Sequence, residues 1–194
     1  MTATEPSHRA DKASLRVTLA DAEVCVQPML TEHHAALRQA CEQDREVWDI
    51  FPLCMIGEHF ETSNALYETL AQEQGWIRFA ILNHGEVVGM SHYINANNDN
   101  AVVEIGGTYI APSVRGGNFN RRIKTLMIEH AFSCGFRRIE FRVDTRNQRS
   151  MAAVRKLGAK DEGVLRKNKV TWTGFVRDTA VFGLLRDDWN TRNI

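Results

Sequence analysis

Ile110-Ala111-Pro112-Ser113-Val114-Arg115-Gly116-Gly117-Asn118-Phe119-Asn120-Arg121-Arg122 is the stretch on which the reading of this chain turns. An apolar strand end runs into a turn of glycine, asparagine and arginine, and a helix follows at once. Ile123, Met127, Ile128, Ala131 and Phe132 recur there at three-to-four-residue spacing with polar residues between them. Such a turn can build an anion site. Free backbone N–H groups at a helix start carry partial positive charge, glycines admit a ligand close to the backbone, and arginines add full charge. The stretch contains no G-x-x-x-x-G-K-[ST] pattern. It also lacks a G-x-G-x-x-G followed by a second βαβ unit with an acidic strand end.

A chain of 194 residues, 43% hydrophobic and 25% charged, suits one soluble domain with a sizeable core. No apolar run reaches membrane-spanning length, and Met1 to Lys12 lacks the apolar segment of a signal peptide, so the expected compartment is the cytoplasm. Cys25, Cys41, Cys54 and Cys134 are scattered without C-x-x-C pairing, and the seven histidines form no H-E-x-x-H, so neither a disulfide framework nor a metal site is expected.

Net charge is zero but unevenly spread. Residues 1–113 hold 6 Lys/Arg against 16 Asp/Glu, whereas residues 114–169 hold 15 against 5. A basic half that begins at the glycine turn suits a polyphosphate ligand, although the same excess could serve a nucleic acid. The acidic half suits a cationic partner at its mouth, because an acidic entrance concentrates cations and repels anions.

The polar opening, Met1 to about Ser14, is expected to be disordered, with segment 1–20 set outside a single domain at 21–194. Val24 to Pro28 reads as a strand. Thr31 then reads as the N-cap of a helix ending near Glu42, and a second helix from about Glu58 stops at Gly75. Trp76 to Leu82 and Val87 to Ile94 form a hairpin about Asn83-His84-Gly85-Glu86. Val102 to Ile110 is the next strand, and its internal Gly106-Gly107 marks a bulge or a close backbone approach. Helix 119–133, strand 138–144, a helix capped by Asn147, and strands 159–172 and 177–187 complete the order. The fold class is α/β, with a mixed twisted sheet of about seven strands flanked by helices on both faces.

Arg115-Gly116 with Gly117 and Asn118 resembles the acyl-coenzyme-A loop of the GNAT superfamily of N-acetyltransferases, whose second glycine stands one place later than Gly117. Asn147-Gln148-Arg149-Ser150 followed by Lys156-Leu157-Gly158-Ala159 is similar to that family's N-x-x-S and x-L-G segment. Glu162 to Arg166, Val176 to Thr179, and Asn120 with Lys124 resemble the branch of ribosomal-protein N-terminal acetyltransferases, the Rim type.

The resemblance implies acetyl-coenzyme A as co-substrate, without a metal, and a pantetheine arm lying between strands 102–110 and 138–144. It implies that backbone near Tyr109 and Ile110 holds the arm, that Arg115, Gly116, Gly117, Asn118, Phe119 and Asn120 cradle the pyrophosphate, and that Asn147 hydrogen-bonds the arm. An ammonium acceptor must lose a proton before it attacks a thioester, and Glu104, ahead of the glycine bulge, is the candidate base. Ser150 matches the serine that can protonate the leaving thiolate in Rim-type enzymes. The expected activity is acetyl transfer to a primary amine, either a protein N-terminus or a small cationic amine. The alternatives are a non-catalytic acyl-CoA-binding module and a nucleic-acid-binding protein. The closing hairpin edge could support a homodimer, and no membrane or nucleic-acid partner is expected.

Overall fold

Along Ile77-Arg78-Phe79-Ala80-Ile81-Leu82 every side chain is buried, which in a strand requires a packed layer on each face of the sheet. Ile77, Phe79 and Ile81 join one apolar core, and Ala80 and Leu82 join another. The computed structural model describes residues 9–192. Its eight strands are β1 (Leu19–Ala20), β2 (Val24–Pro28), β3 (Ile77–Asn83), β4 (Glu86–Asn97), β5 (Val102–Ile110), β6 (Arg138–Asp144), β7 (Lys160–Val170) and β8 (Val176–Leu185). They form one mixed sheet in the order β1-β2-β3-β4-β5-β6-β8-β7, in keeping with the expected α/β class; the two-residue β1, paired with β2, brings the number to eight. Every neighbouring pair is antiparallel except β5 and β6.

Helices α1 (His34–Cys41) and α2 (His59–Gln74), with a short turn at Glu46–Ile50, cover one face through Leu37, Trp48, Phe60 and Tyr67. Helices α3 (Phe119–Ser133) and α4 (Gln148–Lys156) cover the other through Ile123, Met127, Met151 and Val154. A last helix, α5 (Arg186–Arg192), adds Trp189 to the core beneath α3 and α4. The β3–β4 turn holds His84 and Gly85 at φ 48° and 88°, the pair of left-handed residues that a two-residue hairpin turn requires.

Three expectations are corrected. Residues 9–20 are not disordered: Asp11 caps a short 3-10 turn at Lys12–Leu15, Ala10 and Leu15 are buried, and the Asp11 N–H donates to the Cys134 carbonyl at 3.0 Å. The remainder of that expectation, residues 1–8, lies outside the described residues. Thr31 opens a 3-10 turn rather than capping α1, and the start of the turn is held by the Leu30 N–H donating to His33 Nδ1 at 3.0 Å. The last strand ends at Leu185, where α5 begins with Asp187 and Asp188 in its first turn, a place where acidic charge favours a helix.

Gly89 on β4 faces Ile110, and a Cβ there would overlap the Tyr109 carbonyl oxygen. That contact is backbone and cannot swing aside. Gly89→Ala is therefore expected to cost at least ~2 kcal/mol, read as a lower denaturant midpoint at unchanged m value.

Candidate active site

β5 and β6 begin as parallel partners at Val102↔Arg138, Val103↔Ile139 and Glu104↔Glu140, and there the pairing ends. β5 continues to Ile110 and β6 to Asp144, so the facing edges of 105–110 and 141–144 have no ladder partner. The cause lies in β5. Between Met90 and His92 on β4 the register shifts against Tyr109 and Gly106, which places an extra residue in β5 as a bulge. Gly107 takes φ 57° in that bulge, and a Cβ there would come within 2.7 Å of His92 Nδ1, so the backbone lies directly over the histidine ring. The bulge turns β5 away from its parallel neighbour and opens a cleft between two strand edges. Extended chain with unpaired N–H and C=O groups can take up an amide-bearing ligand as an added strand.

Because the two strands are parallel, the helices that follow them begin at the same end of the sheet. The turn after β5 leads into α3 with Gly116 at φ 88° and open space around both Gly116 and Gly117. Asn118 occupies the N-cap position of α3 without a side-chain cap bond, so the first N–H groups of this fifteen-residue helix face that space. Phe119 anchors the helix in the core, and Asn120 is half-buried beside it. The Arg115 side chain turns the other way. Its guanidinium pairs with Asp44, donates through Nε to the Ile110 carbonyl at 2.8 Å and lies over the Tyr109 ring. Arg115 thus ties the turn to the α1 side, and any anion at the turn would meet backbone rather than this guanidinium.

Tyr109 is buried against Trp48, and its hydroxyl donates to the Ala40 carbonyl at 2.7 Å, which leaves its backbone on the cleft edge. Asn147 caps α4, accepting from the Ser150 N–H at 3.0 Å, so its amide NH2 remains for a ligand. Ser150 stands half-buried in the first turn of α4. The structure therefore brings the 115–120 turn, Asn147 and Ser150 to the same end of the split, and Glu104 to the level where the split begins.

Glu104 is only 12% exposed, with Arg142 Nε 3.5 Å from Oε2. Burial raises its pKa, while Arg142, Lys169 and Arg177 pull it back. Sequence reading did not single out these three cations. Arg142 lies two residues beyond Glu140, the register partner of Glu104, and so shares its face; that relation is visible only once the register is known. On the α3 face, Lys124 is buried, donates to Thr108 Oγ1 at 2.5 Å and has its pKa lowered to about 7 by burial. Thr108 is in turn bonded to Ser91 Oγ at 2.7 Å.

The other side of the split is roofed by segment 46–50 and the β7–β8 turn. Trp172 Nε1 donates to the Trp48 carbonyl at 2.8 Å, and Arg146, paired with Asp144, lies 3.9 Å over the Phe175 ring and donates to the Asp49 carbonyl. Beside this roof a cleft of about 350 Å³ is lined by Arg45, Glu58, His59 and Trp172. Part of the acidic charge of the α1–α2 region is paired with arginine. Asp44 pairs with Arg115, Glu42 with Arg45, Glu61 with Arg38 and Glu68 with Arg78. In the basic half Arg122, Arg138, Arg146 and Arg155 are paired with Asp21, with Glu140 and Glu162, with Asp144, and with Asp161, in that order. Among the described residues no group of His, Cys, Asp or Glu could hold a metal ion, and no helix is long and apolar enough to cross a membrane.

Residues 23–160 match the family described as Acetyltransferase (GNAT) domain. A search of curated proteins found no match. Among solved structures, an acetyltransferase-family protein of T. thermophilus superposes with a TM-score of 0.80 at 32% identity, over 90% of this chain and 92% of that one. A GNAT-family protein of Chromobacterium violaceum ATCC 12472 does so with a TM-score of 0.85 at 27% identity, over 98% and 95%. RimJ of Mycobacterium smegmatis, solved with CoA-disulfide, shares the fold with a TM-score of 0.75 at 19% identity, over 89% of each chain. With a family match over most of its length and a strand split at the expected place, the chain belongs to the GNAT family of acetyltransferases.

Proposed function

We propose that this protein transfers the acetyl group of acetyl-coenzyme A to a primary amine, a protein N-terminus or a small amine, by direct attack. The observation that carries the reading is the parting of β5 and β6 beside an open glycine turn. The RimJ structure, which holds a CoA derivative on the same fold, supports it. In this reading the unpaired edges of 105–110 and 141–144 receive the pantetheine arm, and the free N–H groups at Gly116 to Asn120 receive the pyrophosphate. The NH2 of Asn147 bonds the arm near the start of α4.

Backbone N–H groups near Tyr109 and Ile110 polarise the thioester carbonyl and steady the negative charge that develops on its oxygen. Glu104, directly or through water, takes the proton of the incoming ammonium, whose nitrogen then forms the new bond to the acyl carbon. Ser150 gives a proton to the sulfur as the C–S bond breaks, and the second proton shed by the acylated nitrogen restores the serine hydroxyl, so that an amide and a free thiol leave with the one proton held by Glu104. A raised pKa suits Glu104 for this task, since a base works best when its pKa lies near the working pH. Arginine partners of Asp44, Glu42, Glu61 and Glu68 offset part of the acidic charge at the mouth, while Glu46, Asp49 and Glu58 keep theirs, which suits a cationic amine there.

A non-catalytic coenzyme-binding module would have no need of a buried carboxylate at the head of the split. Thiol release with a panel of amines separates the two readings. Nucleic-acid binding is disfavoured because Arg122, Arg138, Arg146 and Arg155 are held by carboxylates of the same chain.

Glu104→Gln is expected to lower turnover by on the order of 10²-fold with little change in coenzyme affinity. The loss should shrink as pH rises and more amine is already neutral; an equal loss at every pH would assign Glu104 a positioning role. Replacing Gly116 and Gly117 together by valine fills the open space at the α3 start, and in a folded variant it should weaken acetyl-coenzyme A binding by at least ~2 kcal/mol. An unchanged calorimetric affinity would remove the phosphates from this turn.

A further inference from the structure

Lys124 is 6% exposed and sits in the second turn of α3, directly behind the split. Its ammonium reaches both separated strands. It donates to Thr108 Oγ1 on β5 at 2.5 Å and lies 6.0 Å from the centre of the Phe141 ring on β6. The sheet hydrogen bonds that would join these strands are missing at this level, because pairing stops at Glu104↔Glu140. No carboxylate among the described residues pairs with Lys124, and the Thr108 hydroxyl shares a second hydrogen bond with Ser91. The remaining two N–H donors of the ammonium have no hydrogen-bond partner among the described residues.

A buried charge with one neutral partner is among the costliest arrangements a fold can hold. A methionine of similar length would fill the same space without that cost, so stability alone does not account for the lysine. Its position offers another account. The cleft it backs lies between two unpaired strand edges, and a ligand placed there as a strand would bring its carbonyl oxygens within reach of donors on the floor.

On the coenzyme reading of the preceding section, we propose that Lys124 is a coenzyme contact, its ammonium donating to a carbonyl oxygen of the acyl-pantetheine arm from the floor of the β5–β6 split. The contact would be charge-assisted and therefore stronger than the backbone bonds along the cleft walls. Thr108 and Ser91 act as positioning residues, holding the ammonium against β5 in the free protein so that its spare donors are aimed before the arm arrives.

Calorimetry with two probes tests this: coenzyme A, and 3′-phospho-ADP, which keeps the nucleotide and pyrophosphate but lacks the arm. Lys124→Met should lower coenzyme A affinity about tenfold or more, the loss of one charge-assisted hydrogen bond, and leave 3′-phospho-ADP affinity within about twofold of the wild type. The melting temperature of the ligand-free variant should be unchanged or higher, since a buried charge has been removed. Lys124→Gln, polar and uncharged, is the second variant and should show the same selective loss. Unchanged coenzyme A affinity, equal losses for both probes, or a fall in melting temperature without selective loss would overturn the assignment and leave Lys124 as a structural residue. Wild-type protein that binds neither probe would instead overturn the coenzyme reading itself, and this inference with it.

Discussion

The parting of β5 and β6 after Glu104 and Glu140 is the constraint on which the remaining structure depends. A parallel pair in the middle of a sheet normally continues as far as both strands run, because each lost rung leaves an N–H and a C=O without a partner. Here the alternate N–H and C=O groups of 105–110 and 141–144 that point into the gap forgo those bonds, and the fold tolerates the loss because both strands are secured on their outer edges. β4 holds β5 antiparallel up to Ile110, and β8 holds β6 from Arg138 to Asp144 without a register shift. The glycine bulge supplies the bend, and α3 and α4 close the back of the opening. A split sheet of this kind is stable as a scaffold and unsatisfied as a surface, which is the condition for strand-like binding of a ligand.

Charge follows the same division. Many ionic side chains among the described residues find partners within the chain, including several of the basic groups concentrated between residues 114 and 169. Several groups whose pKa burial displaces are gathered around the split: Glu104 is raised, while Lys124 and Arg177 are lowered. His92, beneath the bulge, is likewise held neutral by burial, with a pKa down to about 3, and its ring stacks on Tyr67 at 4.9 Å. Displaced ionisation concentrated at one cleft is the signature of a working site more often than of a purely structural one.

Much of this was legible in the sequence. The helix at 119–133 and the strands at 102–110 and 138–144 follow from apolar spacing, and the glycine turn is a local pattern that needs no tertiary information. What escaped was set by partners distant in the chain. Arg115 reads as a phosphate ligand until Asp44, seventy-one residues away, is seen to hold it. Residues 9–20 are polar enough to suggest disorder, but Ala10 and Leu15 are each buried in the core, and Asp11 supplies the turn. The helix at Arg186–Arg192 is only seven residues long, and its one buried anchor, Trp189, fits the end of a strand equally well on periodicity. Lys124 is visible as a motif residue, but its isolation in the core depends on Thr108 and Phe141 meeting it from two different strands.

The central claim is that the split is the acetyl-coenzyme A site, and backbone hydrogen exchange with and without acetyl-coenzyme A tests it most directly. The account predicts slowed exchange at 105–110, at 116–121 and at 141–144, where N–H groups now without sheet or helix partners would gain them, with β1 to β3 unaffected. Saturating acetyl-coenzyme A that left these three segments unchanged, or protected a different region alone, would contradict it.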